Sequence, residues 1–202
     1  MNANSVDRKP IIAWPVTNAG SDASFDPTDQ AEKVWLVEVA NPFGLALAED
    51  VDLNEALAQD PAKGDDLLHT YVTRTREAIQ RGLSQGADGV LYRLHGASPA
   101  HCSPMQYGGH YLELDREILE EVRDAALNVI FTVGDADVYI DFVSDLPANL
   151  FAWDSAASGV TASQVRTMRS GLLAAADPEA DVAWITGVPS VAQHLENRHA
   201  TV

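Results

Sequence analysis

Gly86-Ala87-Asp88-Gly89-Val90-Leu91-Tyr92-Arg93-Leu94-His95-Gly96-Ala97-Ser98 is the stretch from which the fold is read. Its parts are a helix stop, a buried strand and a loop of polar residues. Gly86 suits the position just past a helix, where the backbone turns left-handed. Gly89–Leu94 is almost continuously apolar, the pattern of a parallel strand covered on both faces. The same unit returns at Asn128–Asp135 and Asn149–Asp154, and each apolar run ends in an ionisable residue. In α/β barrels the C-terminal strand ends and the loops after them build the active site. On that rule the candidates are Glu38, Arg93, His95, Asp135 and Asp154.

Helical segments separate the apolar runs. In Asp65–Gln85 the residues Leu68, Tyr71, Val72, Thr75, Ala78, Ile79 and Leu83 recur at spacings of three and four, which puts them on one helical face. Asp65 and Asp66 lie in its first turn, where negative charge suits the helix dipole. Tyr111–Ala126 predicts a second helix, with Tyr111, Leu114, Ile118, Leu119, Val122 and Ala126 inward. Thr161–Ala176 predicts a third, stopped by Asp177-Pro178. Strands are predicted at Pro10–Pro15, Val34–Val39, Gly89–Leu94, Asn128–Val133, Leu150–Trp153 and Val182–Thr186. Such alternation predicts the α/β class with a parallel sheet. The strand number falls short of the eight of a closed barrel, so the expectation is an incomplete TIM-type (β/α) barrel of about six parallel strands. Residues 1–33 read as an N-terminal strand and polar loop, and residues 34–202 as the barrel domain.

Composition narrows the function classes. A chain of 202 residues with 46% hydrophobic residues can bury one sizeable core. No run of apolar residues is long enough for a membrane span, and Met1–Pro10 lacks an apolar signal core. The single cysteine, Cys102, leaves no internal disulfide and suits a reducing compartment, so a cytoplasmic protein is expected. Thirty acidic residues against thirteen basic ones give a formal net charge of −17. Such a surface repels phosphate backbones, which argues against nucleic acid as a partner. An acidic enzyme with a small-molecule substrate and a chain adapted to high salt are both compatible with it.

Further motifs follow in order along the chain. Gly86-Ala87-Asp88 leads into a strand, and the polar loop His95–Cys102 follows it. Next come a Ser-Pro helix start with an aromatic residue, Ser103-Pro104-Met105-Gln106-Tyr107, and a strand ending in a glycine loop, Phe131-Thr132-Val133-Gly134-Asp135. A strand ending in an aromatic–Asp pair, Phe151-Ala152-Trp153-Asp154, completes the series, and upstream lies the turn Asn41-Pro42-Phe43-Gly44-Leu45. This ordered series resembles the uroporphyrinogen decarboxylase superfamily. These are α/β barrels that include the haem-pathway decarboxylase and corrinoid-linked methyltransferases. The resemblance covers Val34–Gly187.

The resemblance implies carboxy-lyase chemistry on a tetrapyrrole or another small organic acid, with no cofactor. His95 would then donate the proton at the carbon losing CO₂, and Asp154 or Asp135 would stabilise the intermediate. Arg93 would clamp a substrate carboxylate, with Glu38, Phe43 and Tyr107 also binding substrate. Several departures weigh against it. The family's arginine-rich loop and catalytic aspartate have no counterpart before Val34. The decarboxylase tyrosine falls near Ala48, and the methyltransferases' zinc-binding His-x-Cys is absent from Phe131-Thr132-Val133-Gly134. A net charge of −17 also suits a polyanionic substrate poorly.

Two alternatives stay open. One is corrinoid-dependent methyl transfer, with zinc held by His95, His101 and Cys102; their spacing matches no standard zinc motif. The other is a non-catalytic subunit whose barrel is completed by a second copy or a partner chain. Asp135, Asp137, Asp141 and Asp145 read as a solvated acidic loop, and Gly108-Gly109-His110 as a turn rather than a phosphate cradle.

Overall fold

The computed structural model describes residues 12–14, 32–34, 36–133 and 137–175. Its centre is a five-stranded sheet in the order β3-β4-β5-β6-β7, in which every neighbouring pair is parallel. The strands are β3 (Leu36–Ala40), β4 (Gly89–Leu94), β5 (Leu127–Thr132), β6 (Leu150–Trp153) and β7 (Leu172–Ala175). Helices lie between successive strands, because parallel neighbours need a crossover connection. They are α1 (Pro42–Ala48), α2 (Leu53–Gln59) and α3 (Pro61–Ser84), then α4 (Pro104–His110) and α5 (Leu112–Glu121), then α6 (Ile140–Val143), and last α7 (Ser155–Ser158) and α8 (Ala162–Met168). The strand order follows the chain without reversal. A doubly wound sheet would reverse at a switch point; the described strands instead form an α/β layer consistent with part of a TIM-like fold.

Local sequence explains where the helices begin. Asn41, Asp52, Asp60, Ser103 and Thr161 each accept a backbone N–H of the following first turn through the side chain. Pro follows at the first helical position of α1, α3 and α4, where its missing N–H costs nothing. Helix α3 buries Leu68, Tyr71, Val72, Thr75 and Ile79, the stripe that its periodicity predicts, and starts at Pro61 rather than Asp65. Leu68, Tyr71, Val72 and Ile79 meet Val39, Val90, Tyr92, Leu94, Ile130, Phe151 and Trp153 in one core. Glu38, Leu91, Arg93, Val129, Phe131, Leu150 and Ala152 alternate with them and share the other face by register.

At the N-terminal edge two asparagines stitch the strands. Asn128 Oδ1 accepts the Val90 N–H at 3.2 Å, and its Nδ2 donates to the Val122 carbonyl at 2.6 Å. Asn149 Oδ1 accepts the Asn128 N–H at 2.7 Å. The asparagines that open the two recurring units are therefore staples between strand starts, Asn128 buried and Asn149 half-buried.

Several expectations are corrected. Pro10–Pro15 is not the first parallel strand: β1 (Ile12–Trp14) pairs antiparallel with β2 (Glu32–Val34) in a separate two-stranded sheet. The intervening sequence is polar and lacks helical periodicity, and only antiparallel neighbours dispense with a crossover helix. The predicted strand Val34–Val39 is divided, since Val34 ends β2 and Leu36 begins β3. The predicted helix Tyr111–Ala126 is the shorter α5, which ends at Glu121 and is preceded by α4, the two meeting at Tyr111. The predicted helix Thr161–Ala176 stops at Met168, and Leu172–Ala175 is the strand β7. Gly171 takes φ +95° there, which a continuing helix cannot accommodate, and a short apolar run such as Leu172-Leu173 fits strand or helix equally. Val182–Thr186 lies outside the described residues. Among the described residues no helix is long and apolar enough to cross a membrane.

Gly89 opens β4 in close approach to β5: a Cβ there would lie 1.8 Å from the Leu127 carbonyl oxygen. The obstacle is backbone, so the strands themselves must part. Gly89→Ala is expected to destabilise the fold by about 3 kcal/mol or more, measured as a fall in the urea midpoint; an unchanged midpoint contradicts this packing.

Candidate functional site

The chain leaves β3 at Asn41, whose backbone N–H still bonds the Arg93 carbonyl at 2.9 Å. Its side chain is fully buried and fully engaged. Oδ1 accepts the Gly44 N–H at 2.9 Å, capping α1, and the His95 N–H at 3.1 Å. Nδ2 donates to the His95 carbonyl at 3.1 Å and to the Asp115 carboxylate at 3.2 and 3.3 Å. One amide thus joins the C-terminal ends of β3 and β4 to helix α5.

Asp115 lies inside the apolar stripe of α5 and is buried. Besides Asn41 it accepts the Tyr92 hydroxyl at 2.6 Å and the Tyr107 hydroxyl at 2.8 Å. Burial pushes its carboxyl up to about 6, against the opposing pull of the hydrogen bonds from Tyr92, Tyr107 and Asn41. Both tyrosines are pushed well above their ordinary value, by burial first and by the Asp115 charge second. The strand-end rule does not reach Asp115, which lies on a helix. The signal was available: Tyr111, Asp115, Ile118, Leu119 and Val122 recur at spacings of three and four, so a carboxylate occupies a core position.

His95 follows β4 and is partly buried. Its imidazole packs against α1 so closely that a Cβ on Gly44 would lie 2.5 Å from His95 Cδ2. Burial lowers its pKa to about 4, helped by the Arg93 charge and by His101. The ring is therefore neutral near pH 7 and presents a lone pair rather than an acidic proton.

The sheet face opposite the helices carries a second polar group. Arg93 Nη1 donates to Glu38 Oε1 at 3.0 Å, and the Arg93 guanidinium lies 5.5 Å from the centre of the Phe131 ring. The register explains the meeting, because Ala40 pairs with Arg93 and Arg93 with Phe131. Both charged side chains stay solvent-accessible, so the pair is open to exchange for a ligand.

Beside α1 lies an open cleft of ≈ 320 Å³, bounded by Phe43, Leu47, Asp50, Asp52, Asn54 and His101. Behind it Asn54 Nδ2 donates to Cys102 Sγ at 3.4 Å, while Tyr111 donates to Asn54 Oδ1 at 2.9 Å. Burial raises the Cys102 thiol, partly opposed by its bond to Asn54. Zinc needs three or four ligands from imidazole, thiolate and carboxylate. Among the described residues no group of three or more His, Cys, Asp or Glu is placed to hold a metal ion. His95, His101 and Cys102 therefore do not fit zinc.

The remaining candidates separate. Asp154 Oδ1 accepts the Ala157 N–H at 2.8 Å at the start of α7, a capping role. Asp135 lies outside the described residues. Tyr107 is withdrawn from substrate, because it is fully buried and its hydroxyl is spent on Asp115. Phe43 borders the cleft and stands edge-on to Tyr111, with ring centres 5.1 Å apart.

No protein-family model matches this chain, and no curated protein matches it by sequence. Among solved structures it is similar to a methyltransferase from Methanosarcina mazei. The two share a TM-score of 0.62 at 10% sequence identity, over 86% of this chain and 60% of that chain. The likeness establishes a common fold. The chain spans 60% of the length of that neighbour.

The raised Asp115 pKa has a consequence for stability. An aspartate ordinarily ionises near 3.8, and this one near 6. Between those values the folded chain keeps a proton that the unfolded chain has lost. The stabilisation from this group is complete below the lower value and disappears as pH rises through the upper one. Relative to the parent, Asp115→Asn is expected to gain on the order of 3 kcal/mol between about pH 4 and about pH 7. Urea denaturation of both chains at each pH measures the difference, and a pH-independent gap contradicts the assignment.

Proposed function

We propose that this chain is a methyltransferase-type (β/α)-barrel domain of the uroporphyrinogen decarboxylase-like superfamily, with its site at the C-terminal strand ends and the adjoining open sheet face. The observation that carries the reading is the neutral imidazole of His95 held at that rim. A decarboxylase needs a proton donor at the carbon that loses CO₂, and a ring with a pKa of about 4 is a poor donor at neutral pH. Its lone pair instead suits a hydrogen bond from the group that receives a methyl, orienting that group for attack. The fold shared with a methyltransferase supports the same choice over decarboxylation. Arg93 and Glu38 supply a cation and an anion for the polar end of a small organic substrate, and Phe131 supplies a flat apolar wall beneath the guanidinium. Phe43 takes the apolar side of the cleft nearer α1. No step is assigned to zinc, because the ligand set does not fit it.

The test titrates small carboxylates bearing a methylthio or methylamino group calorimetrically, then assays transfer of their methyl to an added thiol, whose proton goes to the departing sulfur or nitrogen. Arg93→Ala is expected to weaken binding by roughly ten- to a hundredfold, the worth of a charge-assisted hydrogen bond. His95→Ala is expected to lower the rate of methyl loss while leaving binding within a few-fold. Release of CO₂ from these acids without methyl transfer, or binding indifferent to Arg93, overturns the reading.

A further inference from the structure

We propose that Asp115 is a positioning residue for His95, acting through Asn41. The proposal rests on the reading that His95 belongs to the functional site. Its basis is the geometry of one hydrogen-bonded chain. Asn41 grips His95 from both sides, accepting its N–H at 3.1 Å and donating to its carbonyl at 3.1 Å. An amide can do this in only one orientation, because its oxygen and nitrogen are not interchangeable. Gly44 N–H donating to Oδ1 at 2.9 Å favours that orientation, and Asp115 accepting from Nδ2 at 3.2 and 3.3 Å secures it from the other end. The imidazole has no room to follow a displaced backbone, since α1 closes against it at Gly44. A change at Asp115 therefore reaches the ring through two hydrogen-bonded links.

The groups around Asp115 make the link sensitive to its protonation. Tyr92 from β4 and Tyr107 from α4 donate to it, and Asn41 approaches from the end of β3. From α3, the charge of Arg76 is felt at Tyr92. Three donors converge on one carboxylate. When the carboxyl takes up a proton, it becomes a donor itself. The tyrosine hydroxyls can turn to accept, whereas the Asn41 NH₂ cannot. Asn41 is thus the link that loosens on protonation. The charges that face His95 itself come from Arg93 and His101.

The experiment is amide and imidazole NMR of the full chain between about pH 5 and about pH 8, following His95, Gly44 and the Asp115 carboxyl carbon. This window lies above the titration of His95, near 4, and spans that of Asp115, near 6. The His95 and Gly44 amide protons and the His95 ring nitrogens are expected to shift with the midpoint of the Asp115 carboxyl, and Asp115→Asn is expected to abolish that transition. Tyr107→Phe provides a second route should Asp115→Asn fail to fold. Loss of one donor moves the Asp115 midpoint upward, and the His95 transition is expected to move with it. His95 resonances that stay flat while Asp115 titrates, or that keep their midpoint in Tyr107→Phe, overturn the proposal. The readout involves no substrate, so a failure of the functional reading shows in the binding and methyl-loss assays and leaves this result standing.

Discussion

The side chain of Asn41 is the constraint on which the C-terminal rim depends. Its single amide caps α1, grips both polar groups of the His95 peptide and meets the buried carboxylate of α5. The backbone of β3 reaches only as far as β4 at this edge. Without the amide, the loop after β4 and the helix after β3 would meet through apolar packing alone. Packing does not fix orientation as hydrogen bonds do, because hydrophobic attraction is non-directional. The network is fully satisfied, and in a low-dielectric interior such networks specify one arrangement rather than many.

That arrangement separates two environments at one end of the sheet. On the helix side, Asp115, Tyr92 and Tyr107 are shielded from water and hold their protons more tightly than exposed groups do. On the opposite face, Arg93 and Glu38 remain wetted and exchangeable. His95 stands between the two, neutral through burial yet placed after the strand end. Strand alternation accounts for the division, since Tyr92 and Arg93 are consecutive and must point to opposite faces.

Much of this was legible from residues in order. The parallel strands Gly89–Leu94 and Leu150–Trp153 follow from apolar runs alone, and α3 follows from a periodicity long enough to exclude a strand. The gathering of Glu38, Arg93 and His95 toward one end follows from the strand–loop rule. Short elements were ambiguous. Leu172–Ala175 carries an apolar pattern compatible with helix or strand, and Gly171 decides it only once its backbone angle is known. Tyr107 is ambiguous in sequence for a related reason. An aromatic residue at a helix start signals burial and ligand stacking equally, and the partner that claims its hydroxyl lies eight residues away on another helix.

By itself the sequence determined the α/β class, the placement of the polar residues at the strand ends and the acidic surface. Each of these depends on local periodicity or on composition. Only the tertiary structure decided which polar residues work together. Asn41, His95 and Asp115 are separated by 54 and 74 positions where they hydrogen-bond, and nothing local marks their meeting. The state of His95 was decided in the same way. An imidazole in sequence is a candidate proton donor, and it becomes a neutral acceptor only when α1 and the Arg93 charge surround it. Protonation follows from solvation and neighbouring charge, and both are properties of the folded chain.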